Sequence, residues 1–72
     1  MTARPRKPWR VTLTGPDVHA TADHTSERNA YAFLLAALHG DSPATDARVD
    51  YWEGGRWGHY EDIHGRDLPP RA

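Results

Sequence analysis

Residues 48–63 read RVDYWEGGRWGHYEDI, and this stretch decides the architecture. Two runs rich in aromatic and β-branched residues flank Gly54-Gly55. Paired glycines between such runs predict a β-hairpin closed by a two-residue turn. Both central residues of that turn need positive φ, which glycine adopts with no Cβ penalty. Centring the turn on the glycines sets a register. Glu53 faces Arg56, Trp52 faces Trp57, Tyr51 faces Gly58, Asp50 faces His59, Val49 faces Tyr60 and Arg48 faces Glu61. Three of these pairs set opposite charges, or a carboxylate and an imidazole, side by side, which favours cross-strand pairing.

Moving toward the N-terminus, Asp41 to Asp46 is a polar loop interrupted by Pro43. Before it, Tyr31, Leu34, Leu35 and Leu38 recur at i, i+3, i+4 and i+7, a core-facing helical stripe that Ala30, Phe33 and Ala37 widen. Thr25 or Ser26 supplies an N-cap, and Glu27 meets the positive end of the helix dipole. His39 falls in the last turn, and Gly40 suits the left-handed position after it. A helix is therefore expected over roughly residues 26–39.

Further back, Trp9, Val11 and Leu13 alternate with Arg10, Thr12 and Thr14, the pattern of a half-buried strand. Gly15-Pro16-Asp17 makes a turn. Val18, Ala20 and Ala22 then alternate with His19, Thr21 and Asp23 as a weaker second strand. Residues 1–8 hold Arg4, Arg6 and Lys7 around Pro5 and Pro8 and read as a flexible basic arm. Residues 9–64 form a single domain, and residues 65–72 an irregular tail with Gly65 and Pro69-Pro70.

The order is β-β-α-β-β. It predicts an α+β fold: a mostly antiparallel four-stranded sheet covered on one face by one helix. The expected core is Val11, Leu13, Val18, Ala20, Phe33, Leu34, Leu38, Val49, Tyr51 and Tyr60. Either a split strand order or two sequential hairpins satisfies the pattern. One helix cannot cover both faces, so one sheet face is left open.

Composition bounds the rest. Seventy-two residues make one small domain with a small core. The absence of cysteine excludes disulfides, thiolate zinc sites and thiol catalysis. A net charge of −1 gives no global field to attract nucleic acid or an anionic membrane. No apolar run approaches membrane-spanning length and no secretory signal is visible, so a cytoplasmic protein is the expectation. Lys7 is the only lysine beside many arginines, the bias of a GC-rich genome such as those of actinobacteria and their phages.

Four constellations bear on function. Trp52 and Trp57 share a hairpin face with Arg48, Asp50, His59 and Glu61, opposite the face that holds Val49, Tyr51 and Tyr60. The tryptophans are therefore expected on the open face, and the alternative reverses the faces and places them in the core. On the open face they form a stacking pair worth roughly 0.5–1.5 kcal/mol beyond burial, and a recognition surface of the residue types found in binding hot spots. Arg4, Arg6, Lys7 and Arg10 form a basic stretch that could meet phosphates, beside rings on which bases could stack. His19, His24, His39, His59 and His64 match no metal-ligand spacing, so no metal and no cofactor is expected. Asp50, His59 and Glu61 come together, but catalysis needs a pocket that a flat sheet in a short chain does not offer.

The expectation is a non-catalytic interaction or regulatory module. It binds a protein partner, or a second copy as a homodimer, through the open aromatic face or an edge strand. The alternative is a nucleic-acid-binding accessory protein using the basic arm.

Overall fold

The computed structural model describes residues 5–69. Gly54 and Gly55 close the hairpin with φ of 64° and 82°. They join β3 (Asp46–Glu53) to β4 (Arg56–His64). From the turn outward the register is the expected one, with Glu53 opposite Arg56, Trp52 opposite Trp57, Tyr51 opposite Gly58 and Asp50 opposite His59. It then shifts. Val49 opposes Glu61 and Arg48 opposes Asp62. The expected Val49–Tyr60 and Arg48–Glu61 pairs do not form. Tyr60 is the extra residue of a β-bulge, which sets two consecutive residues against one and breaks the alternation of faces. Tyr60 and Glu61 both turn toward the helix. The Tyr60 ring packs on Trp9, and Glu61 accepts a hydrogen bond from the Tyr31 hydroxyl.

β1 (Trp9–Gly15) and β2 (Val18–His24) form the other hairpin around Pro16-Asp17. The sheet order is β2-β1-β3-β4, antiparallel throughout. The two hairpins are thus joined through their first strands, and β2 and β4 are the edges.

Helix α1 (Glu27–Ala36) links the hairpins. Ser26 caps it: its Oγ accepts the Asn29 N–H at 3.1 Å. The helix stops short of the expected position 39. It widens into a π-type turn, Ala37–Asp41, closed by the Ser42 N–H donating to the Ala37 carbonyl at 3.3 Å. Gly40, at φ 127°, releases the chain. After β4, Gly65–Asp67 makes one 3-10 turn.

The core lies between the helix and the two central strands. Val11, Leu34 and Val49 are fully buried, flanked by Leu13, Ala30, Ala37, Ala44 and Ala47. Alanines at the helix–sheet contact let the backbones approach closely. Several expected core residues lie outside it. Phe33 is 37% exposed, Tyr60 is 49% exposed and Ala20 is exposed. Val18, Leu38 and Tyr51 are half-buried. For Val18, Ala20 and Tyr60, on the edge strands, the reason is width. A helix covers about 10 Å, whereas four strands about 4.8 Å apart spread further, so residues over the edge strands remain partly open. Trp9 closes one end of the core, with ring centroids 4.4 Å from Tyr51 and 4.9 Å from Tyr60.

Candidate functional site

The face opposite α1 is built by simple alternation. Val49 points inward, so Arg48, Asp50 and Trp52 point outward. Cross-strand pairing sets Trp57 and His59 beside Trp52 and Asp50. The five residues expected to share the open face, Trp52, Trp57, Arg48, Asp50 and His59, all lie on it. Glu61 does not, because the bulge turns it to the helix side.

Trp52 and Trp57 meet edge to face, with centroids 5.5 Å apart and planes at 77°. Both are half-buried. Arg10, on β1, reaches across this face so that its guanidinium carbon lies 4.0 Å from the Trp57 ring centroid. The same guanidinium grips Asp23 of β2 as a fork, Nε donating to Oδ1 at 2.8 Å and Nη2 to Oδ2 at 3.1 Å. These hydrogen bonds hold the Asp23 carboxyl below its ordinary range. Planarity lets one arginine bind a carboxylate along its edge while its flat face stacks on an indole.

The neighbouring polar groups pair locally. Arg48 Nε donates to Asp50 Oδ1 at 3.0 Å. His59 stands opposite Asp50 on the backbone, but its Nε2 lies 3.1 Å from Asp62 Oδ1. The bulge brings residues three apart to the same face. At the far end His64 Nδ1 is 2.6 Å from Asp46 Oδ1, and the Thr45 hydroxyl donates to Oδ2 at 2.7 Å. Hydrogen bonds from His64 and then Thr45 hold Asp46 below the usual carboxylate range. In charge the face holds Asp23, Asp46, Asp50 and Asp62 against Arg10 and Arg48, so its balance is acidic.

The basic arm is only partly placed. Arg4 lies outside the described residues. Arg6 and Lys7 are exposed, while Pro8 is buried and its carbonyl accepts the Trp52 N–H at 2.8 Å. Arg10 belongs to the sheet. Its partnership with Asp23 was missed in the sequence, although a hairpin register centred on Pro16-Asp17 sets the two opposite each other.

Asp50, His59 and Glu61 do not converge, because Glu61 is on the other face. Among the described residues no group of three histidine or carboxylate side chains surrounds one point. Behind the tryptophans, on the helix side, Gly58 offers no side chain opposite Tyr51. A cavity of about 510 Å³ opens there between Tyr51, Tyr60, Glu53 and Arg56. Among the described residues no helix is long and apolar enough to cross a membrane. The chain matches no family model, no curated protein and no solved structure.

Proposed function

We propose that this chain is a small non-catalytic interaction module that takes a basic segment of a partner protein on its open sheet face, in the cytoplasm. One observation carries the reading. Trp52 and Trp57 lean on each other, and Arg10 lies over Trp57, on the sheet face opposite α1. Tryptophan, tyrosine and arginine dominate binding energies where they cluster in a desolvated patch. Charge names the partner's chemistry. Four carboxylates against two guanidiniums favour a cationic segment, and the cation on the Trp57 ring is an internal copy of the contact a partner's arginine makes on Trp52. The nucleic-acid alternative draws less support. Arg10 is committed to Asp23, and the carboxylates of this face repel phosphates.

The test is an NMR titration of the labelled protein with a synthetic arginine-glycine repeat peptide. The Trp52 and Trp57 indole N–H signals shift and saturate, and the effect weakens with salt. A glutamate-glycine peptide leaves them still. Trp52→Ala combined with Trp57→Ala keeps the far-ultraviolet circular dichroism and no longer binds. Indole signals that ignore the basic peptide, or a double variant that binds as well as the parent, sink the reading. A double variant that unfolds assigns the tryptophans to stability alone.

A further inference from the structure

The two edges of the sheet are treated differently. β4 is protected by its bulge at Tyr60 and by Arg56, Glu61 and Asp62 along its length. Those are the devices by which natural sheets discourage edge pairing. β2 has no bulge, and its one charged residue, Asp23, is already held by Arg10. Its register with β1 is unbroken over all seven residues, and VHATADH contains no lysine and no proline. His19, Ala20 and Thr21 are exposed.

The direction of its free backbone groups follows from two hydrogen bonds. The carbonyls of Thr14 and Pro8 accept the N–H groups of Thr45 and Trp52, on the β3 side. Even-numbered residues of β1 therefore turn their backbone toward β3, and odd-numbered ones toward β2. Their β2 partners Val18, Ala20, Ala22 and His24 face inward. His19, Thr21 and Asp23 present N–H and C=O to the outside.

We propose that the chain forms a two-fold homodimer by antiparallel pairing of β2 with β2 of a second copy, centred on Thr21. In that register Thr21 faces Thr21, Ala20 faces Ala22, His19 faces Asp23 and Val18 faces His24 of the second copy. Every outward N–H and C=O of the three residues finds a partner. Sliding the strands by one step of the ladder leaves one of the three unpaired. The same register is complementary in charge, with His19 of each copy beside the Asp23 that Arg10 already orients. On the helix side the seam carries Val18, Ala20 and Ala22, with His24 at its ends. Phe33, 37% exposed and 4.9 Å from the His24 ring, stands across from Val18 of the second copy. Phe33 also lines a cavity of about 210 Å³ with Leu13 and Ala36. A dimer built this way is a continuous eight-stranded sheet with both helices on one side. Both tryptophan faces stay uncovered on the other, so the inference is independent of the proposed function. A seam of one strand pair is small, so the dimer is weak and assembles in the micromolar range.

Sedimentation equilibrium of the full chain, from low to high micromolar concentration, tests it. The parent shows a monomer–dimer equilibrium. Thr21→Pro removes an outward N–H that β1 does not use, so it keeps the fold and stays monomeric throughout. His19→Asp sets like charges together twice and raises the dissociation constant about tenfold. Asp62→Pro, on the outer edge of β4, and the paired alanine variants of Trp52 and Trp57 leave dimerisation intact. A parent that is monomeric at the highest concentration overturns the proposal. So does association that survives Thr21→Pro or is lost with Asp62→Pro. Should Thr21→Pro unfold, unchanged dimerisation of His19→Asp overturns it instead.

Discussion

Arg10 shows how much one side chain can organise on a bare sheet face. Its edge binds Asp23 and its flat face covers Trp57, so it ties β2 through β1 to the tip of the far hairpin. Lysine keeps the charge but has neither a fork nor a plane. Arg10→Lys is expected to cost about 1 kcal/mol in chemical denaturation, the sum of a part-exposed ion pair and a cation–π contact. Two local readouts accompany it: the Asp23 carboxyl rises toward its ordinary pKa by NMR titration, and Trp57 becomes easier to quench with acrylamide. Unchanged quenching contradicts the stacking role. The sequence marks Arg10 only as one more basic residue near a basic arm. Its role becomes legible once the Pro16-Asp17 turn is used to pair it with Asp23, whereas the contact with Trp57 depends on the β1–β3 pairing.

At the scale of the elements, turn chemistry was the most legible signal. Gly54-Gly55 and Gly40 each sit at positive φ, as their positions imply. They respond differently to substitution. Asparagine adopts positive φ and is favoured at the first central position of such hairpin turns, and nothing lies within 4 Å of a Cβ built at Gly54. Gly54→Asn is therefore expected to change stability by less than about 0.5 kcal/mol. A Cβ at Gly40 also meets open space, but its φ of 127° is hostile to any side chain. Gly40→Ala costs about 1 kcal/mol or more in denaturant, entirely through the backbone. Equal effects at the two positions contradict this account. The bulge in β4 was not legible. Tyr60 and Glu61 alternate with their neighbours as a plain strand does. The bulge is stabilised by contacts from elsewhere, Trp9 against Tyr60, the Tyr60 hydroxyl on Glu27 at 2.9 Å and the Tyr31 hydroxyl on Glu61. Those carboxylate contacts push the Tyr60 phenol upward, while burial first and then Glu61 do the same to Tyr31.

For the whole molecule, pH reads out the balance of buried and paired charge. His24 packs on Phe33 with a buried Nε2 that has no hydrogen-bond partner. Burial, then the charge of Lys7, lower its pKa below 6.5, so the folded state prefers the neutral ring. The unfolded chain takes up the proton first. Stability is thus full above pH 6.5 and declines as the pH falls through the lowered folded value. Asp23 and Asp46 act further down. Their folded pKa values lie below 3.8, so their contribution is present above that pH and is lost as the pH falls through the folded values. Urea midpoints measured across the acid range are expected to fall in two stages. His24→Gln flattens the upper stage and leaves the lower one. A variant that keeps the upper stage removes His24 as its cause.

Local rules were enough to determine the β-β-α-β-β order, both hairpins and where the helix begins. Each depends on residues close in the chain: glycines that accept positive φ, alternation of period two, and apolar spacing of period 3.6. The tertiary structure alone decided the rest. It set β1 beside β3, placed the bulge at Tyr60, moved Glu61 off the open face, left Phe33 and Ala20 outside the core and brought Arg10 onto Trp57. These outcomes depend on which distant strands share hydrogen bonds and on how far one helix spreads across four strands. Pattern along the chain records which way a side chain points, and not what stands in front of it.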